Sequence, residues 1–156
     1  MNKYLVSAVS LGALVFGASR VRARRRAPLN GKPVTPAGAV SPLVGTWKLV
    51  SGKFTAHNDH NESDEWDNST ITQYKIVTPE RFMYYSMRNK SQSVQWAGMG
   101  RVAIEEDQYT EIVENTNATG LQDKELTFRF RLEGGRWYHT IDTGNGVLEE
   151  VWERVP

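Results

Sequence analysis

The sequence contains no cysteine. That excludes disulfides, thiolate metal sites, catalytic thiols and a lipid anchor on an N-terminal cysteine. Long apolar runs are scarce as well. The longest stretch of apolar or small residues, Tyr4 to Ala18, is too short for a membrane span. No window of helical length carries a clean 3.6-residue period. Phosphate-binding glycine loops and nucleophile elbows are missing too. One end of the chain lacks acid: residues 1–40 hold seven Lys or Arg and no Asp or Glu. Residues 41–156 then hold 12 basic against 18 acidic side chains, a formal −6. An acidic domain grips phosphate backbones poorly, so no nucleic-acid partner is expected.

What the chain does have is aromatic residues and turns. Its 156 residues suit one domain plus a tail, and its five Trp, six Tyr and five Phe favour strands. Residues 1–26 read as a targeting leader, disordered or helical. Lys3 precedes the apolar run, and Val21 with Ala23, or Gly17 with Ser19, suit a cleavage site. The expectation is a secreted or periplasmic protein with no stable span once the leader is removed. Arg20, Arg22, Arg24, Arg25 and Arg26 resist translocation, which leaves an organelle transit peptide or an uncleaved anchor as alternatives. Residues 27–42, with Pro28, Pro33, Pro36 and Pro42, read as a linker before a domain at 43–156.

From Val44 onward short strands alternate with turn signals: 44–54, 70–77, 81–88, 93–97, 100–104, 108–115, 124–132, 136–142 and 147–155. That spacing predicts an all-β fold. The polar stretch 55–69 reads as a loop. Gly144-Asn145 is a two-residue hairpin turn that pairs Ile141 with Leu148, His139 with Glu150 and Trp137 with Trp152. Gly134-Gly135 marks the preceding turn and pairs Leu132 with Trp137, Phe130 with His139 and Phe128 with Ile141. Paired residues share a face, so both turns give one apolar face that only His139 and Glu150 interrupt. A turn at Glu106-Asp107 pairs Ile104 with Tyr109 and Val102 with Glu111, placing Glu111 on an apolar face too.

The stretch Leu43-Val44-Gly45-Thr46-Trp47-Lys48-Leu49-Val50-Ser51 resembles the opening strand of the fatty-acid-binding proteins and the Gly-x-Trp signature of lipocalins. Val151-Trp152-Glu153-Arg154-Val155 resembles their closing strand. Residues 74–83, 108–111, 136–139 and 149–155 look most like small bacterial lipocalin-like domains of unassigned function. The resemblance implies a single antiparallel up-and-down barrel of about nine or ten strands, of the calycin type. It also implies that Trp47 closes one end beneath Arg154, with Gly45 completing the signature. Two departures matter. Residues 55–69 are too short for the helical lid of fatty-acid-binding proteins. Glu150 also stands where those proteins carry a ligand-binding Arg. An ionised Glu150 would repel a fatty acid by about 4 kcal/mol at ~4 Å and an effective dielectric of ~20. A cationic, amine-bearing or hydroxyl-rich ligand suits it better.

The expected function is binding or carriage of a small hydrophobic or amphipathic molecule in the barrel interior, without cofactor or metal. The candidate cavity residues are His139, Glu150, Glu111, Phe128, Phe130, Trp137 and Trp152, and no catalytic residue is assigned. One alternative is an isomerase or cyclase using His139 and Glu150 as an acid–base pair. Another is an interaction module with a filled barrel. The plain structural reading of the pair is a satisfied polar contact in the core. His57, Asp59, His60, Glu62, Asp64 and Glu65 suit Zn²⁺ or Ni²⁺ by type but read better as a solvated acidic loop. Asn61, Asn68, Asn89 and Asn117 each open an Asn-x-Ser/Thr triplet, which matters only if the protein passes through a glycosylating pathway.

Overall fold

The computed structural model describes residues 41–156, so the leader and all but the last two linker positions lie outside the described residues. The described part has nine strands: β1 Gly45–Ala56, β2 Ser63–Asp67, β3 Ile71–Val77, β4 Arg81–Arg88, β5 Ser93–Glu105, β6 Gln108–Thr116, β7 Glu125–Glu133, β8 Arg136–Asp142 and β9 Gly146–Arg154. Every pairing is antiparallel. No helix occurs among the described residues, so none there is long and apolar enough to cross a membrane.

The sheet closes because β1 pairs with β9 along one edge. Its other edge is shared: Gly45–Lys48 pair with β3, and Ser51–Thr55 pair with β2. β2 and β3 are thus one stave interrupted at residues 68–70, and the barrel has eight staves. A bulge between Leu49 and Ser51 bends β1 at that junction, where the Asn68 N–H donates to the Val50 carbonyl at 3.1 Å.

Both glycine-marked turns form as the sequence predicts. Gly134, Gly135 and Gly144 have positive φ, which glycine adopts without a steric penalty. His139 pairs with Glu150 and Phe130, and Trp137 with Trp152 and Leu132. Val102 pairs with Glu111, as the Glu106-Asp107 turn requires.

Two expectations change. The stretches 93–97 and 100–104 form one strand, β5. Gly98 leaves room for the Tyr84 ring, whose nearest atom lies 2.6 Å from where a Cβ would be. Gly100 sits at a register shift against the Ile112 carbonyl. These glycines bend the strand instead of ending it. Within the expected loop 55–69, residues 63–67 form β2. Its single buried side chain, Trp66, lies across Gly52, where a Cβ would meet the indole at 2.3 Å. One aromatic ring anchors an otherwise exposed strand.

The ends of the barrel are shut by its own residues. At one end Trp47 donates its indole N–H to the Leu43 carbonyl at 2.8 Å, and the Arg154 guanidinium lies 4.4 Å over the Trp47 ring. Arg154 also donates to the Val44 and Pro42 carbonyls. Gly45 has φ +146, and a Cβ there would meet the guanidinium at 2.3 Å. In the β6–β7 connection, Ala118 and Leu121 are buried against the core.

Candidate functional site

Strand alternation sends every second side chain inward. On β6 that brings in Tyr109, Glu111 and Val113; on β8 and β9 it brings in Trp137, His139, Glu150 and Trp152. Of the seven candidate residues, Glu111, Phe128, Trp137, His139, Glu150 and Trp152 are buried, and Phe130 is partly buried against the core. Phe128 stacks on the His139 ring at 4.5 Å, and Trp137 meets that ring edge-on at 5.0 Å. Tyr109 meets Trp137 edge-on at 5.0 Å. These contacts line the interior with rings packed against one another.

The centre of the cluster is a residue the sequence reading missed. Lys75 is 2% exposed and donates to Glu111 Oε1 at 2.7 Å. Its ammonium lies 5.0 Å from the Trp152 ring centroid and 5.4–5.5 Å from those of Trp137, Tyr109 and Phe128. Four aromatic faces and one carboxylate therefore hold the chain's own cation. Tyr109 donates to the same Glu111 oxygen at 2.9 Å. A signal existed. A turn at Pro79-Glu80 pairs Val77 with Phe82 and so turns Lys75 inward opposite Tyr84. Tyr74 and Ile76 masked it, because they make the outward face of β3 look just as apolar.

His139 Nε2 lies 2.6 Å from Glu150 Oε2, both side chains almost wholly buried. The Trp152 indole nitrogen is 3.2 Å from the same Nε2. One ring nitrogen cannot donate to a carboxylate and accept from an indole at once. Burial, the largest influence, lowers the His139 pKa; Lys75 adds to this, while the hydrogen bond to Glu150 opposes it. Burial alone would raise Glu150, yet the hydrogen bond from His139, the charge of Lys75 and the Trp152 N–H together hold it below the ordinary carboxylate range. The consistent state near neutrality is an ionised Glu150 and a neutral His139 protonated on Nε2. The indole N–H then serves the carboxylate. Among the described residues, four buried side-chain atoms have no hydrogen-bond partner: His139 Nδ1, Glu150 Oε1, Trp137 Nε1 and Ser86 Oγ. Each costs about 1–3 kcal/mol if left unmet.

A cavity of about 800 Å³ borders the same strands from the other side. It touches consecutive triplets of β1, β7, β8 and β9, each centred on the row Gly52, Glu150, His139 and Phe130. The flanking members of each triplet face outward. Trp137, Trp152, Phe128 and Tyr109 are absent from its lining, and the His139 and Glu150 side chains are at most 1% exposed. The cavity is therefore a depression on the outer wall, to which the buried pair contributes main chain. The interior chemistry and this open space lie back to back.

The acidic loop stays at the surface. His57 pairs with Asp142 at 3.1 Å, and no group of His, Asp and Glu suited to a metal ion occurs among the described residues.

The architecture and the site define an antiparallel closed barrel of eight staves with a polar cluster in an aromatic interior. No family model matches the sequence, and no curated protein matches it. Among solved structures, the chain is similar to an uncharacterised protein of Bacteroides eggerthii, with 17% identity, 72% of this chain and 98% of that one covered, and a TM-score of 0.48. It is also similar to a protein of M. tuberculosis, with 9% identity, 74% and 94% covered, and a TM-score of 0.35.

Proposed function

We propose that this lipocalin-like protein binds a small, largely hydrophobic molecule bearing one hydrogen-bond donor, inside the barrel beside His139 and Glu150. The observation that carries this reading is the pair of buried acceptors, His139 Nδ1 and Glu150 Oε1, left without donors inside an aromatic enclosure. Ligand sites join apolar walls to a few directed polar groups in this way. Lys75, Glu111 and Glu150 carry a formal charge of −1 together, which favours an amine or an alcohol over a carboxylate. The guest needs space that the Lys75 side chain now fills. That four-carbon stem is the flexible member among rigid rings, and a change of its rotamer that keeps the ion pair with Glu111 admits the ligand. The apolar run that follows Lys3 supports export to the periplasm or the exterior, against the pull of the arginines behind it, and N-terminal sequencing of the mature protein tests this.

Octylamine, octanol and octanoate form a matched set of probes. The amine and the alcohol should shift the NMR signals of His139 and the Trp152 indole, and octanoate should not. If none of the three moves those signals, the interior is a packed core and the reading fails. The close packing of buried rings around Lys75 favours a second reading, an interaction module working through its outer wall. Ile76, Met83 and Met99 form one exposed apolar row across β3, β4 and β5 there. Failure of all three probes would favour that alternative.

A further inference from the structure

The outer-wall depression has an order of its own. Strand register lays two rows of outward side chains across five neighbouring strands, β7, β8, β9, β1 and β2. One row runs Arg131, Tyr138, Val151, Ser51, Asp67. The other runs Arg129, Thr140, Glu149, Lys53, Glu65. All ten residues line the cavity. Both guanidinium groups stand at the β7 end. At the β2 end stand two carboxylates, one of them paired with Lys53 at 3.3 Å. Between them lie hydroxyls, a phenol ring, an aliphatic side chain and Glu149. Three cations balance three carboxylates, so the lining has ends of opposite sign and no net charge.

We propose that this depression binds a short extended peptide through its free termini, the carboxylate on Arg129 and Arg131 and the ammonium on Glu65 and Asp67. Four strand spacings of ~4.8 Å separate the ends by ~19 Å. An extended chain covers ~3.3–3.6 Å per residue, so about five or six residues bridge them. The guanidinium end is ready for an anion. Arg131 is fixed over the Tyr138 ring at 4.0 Å, and its partner Glu133 is 3.5 Å away at the surface. Arg129 reaches Asp107 only at 4.0 Å, also at the surface. Such exposed pairs hold their members weakly and yield to a bidentate carboxylate. At the other end the Ser69 hydroxyl and N–H donate to Asp67 at 2.6 and 2.9 Å, which keeps that carboxylate charged and oriented. Across β7, β8, β9 and β1 the main chain is spent on the strand ladder, and only the outer edge of β2 is unpaired. The hydroxyls of Ser51 and Thr140 line the middle of the depression and meet the peptide main chain.

The test titrates the full chain with the pentapeptide Ala-Ser-Ala-Ser-Ala, its N-acetylated and C-amidated forms, and maltotetraose as a neutral elongated control. The free peptide should shift the amide signals of Ser51, Thr140 and Val151. Blocking either end should weaken binding about tenfold. In the surface double variant Arg129→Gln/Arg131→Gln, the fold should be kept, seen as unmoved amide signals away from β7 and β8, and C-amidation should no longer matter. N-acetylation should still weaken binding, through Glu65 and Asp67. Blocked peptides that bind as tightly as the free one overturn the proposal. So does maltotetraose binding more tightly, or a free peptide that leaves those three signals in place.

Discussion

The Lys75 ammonium and the Glu111 carboxylate meet at 2.7 Å in the middle of the barrel, with neither side chain more than 3% exposed. Removing two charges from water costs several kcal/mol each, and the close contact and surrounding rings offset that cost only while both partners stay. Lys75→Met or Glu111→Gln alone should destabilise the protein by about 3–5 kcal/mol. Lys75→Met/Glu111→Leu together should recover most of the loss. Urea unfolding of the three variants measures this. Losses that simply add in the double variant would show that the two groups are not coupled.

Acid should weaken the fold in two stages. The His139 pKa lies below its ordinary value of 6.5, so the unfolded chain takes up the proton first. Stability from this group is complete above about pH 6.5 and falls as the pH drops toward the folded value. Glu150, held below 4.5, repeats the pattern from about pH 4.5 downward. Urea midpoints at pH 7.5, 5.5 and 4 should therefore decrease in that order. A flat profile between the first two would mean that His139 is not buried neutral.

Glu150→Gln removes the negative charge and weakens the hydrogen bond that together partly counteract burial of the imidazole. The His139 titration midpoint, followed by NMR, should move further down. An unchanged midpoint would separate the two side chains.

Alkali should reach two tyrosines last. Burial, then the charge of Glu111, raises Tyr109 well above 10; burial chiefly raises Tyr84. Because the folded pKa exceeds the unfolded one, this stability is present below about pH 10 and is lost as the pH rises past it. Phenolate absorbance should show these two groups ionising only together with unfolding. Complete ionisation in the folded protein contradicts the buried geometry.

Gly45→Ala places a Cβ at positive φ and against the Arg154 guanidinium. The strain should cost about 1–3 kcal/mol. Arg154→Met should cost about 0.5–2 kcal/mol through the lost cation–π contact. If the Gly45 variant unfolds at the wild-type urea midpoint, the end of the barrel is looser than its contacts indicate.

The parts of the barrel legible in the sequence are those fixed by turn chemistry. Gly134-Gly135 and Gly144-Asn145 set the register of β7, β8 and β9 to the residue. Phe130, His139 and Glu150 accordingly fall in one row. Elsewhere the pattern was degenerate. β3 alternates Ile71, Gln73, Lys75 and Val77 against Thr72, Tyr74 and Ile76, and neither set is clearly the inner one until the Pro79 turn is placed. β2 has one apolar residue in five, too few for periodicity to register. The outer-wall depression depends on how five strands lie side by side, and no local stretch of sequence encodes it.

Pairing of β1 with β9 has a further consequence. Trp47 lies opposite Arg154, so the beginning and the end of the folded unit sit side by side. A few linking residues from Pro156 back to Ser41 would make the chain circular, and the Gly134-Gly135 turn, exposed and bordered by no bulky neighbour, could then be cut open to supply new termini. The barrel is in this sense a ring of staves that need not be read from β1, and a circularly permuted chain should rebuild it.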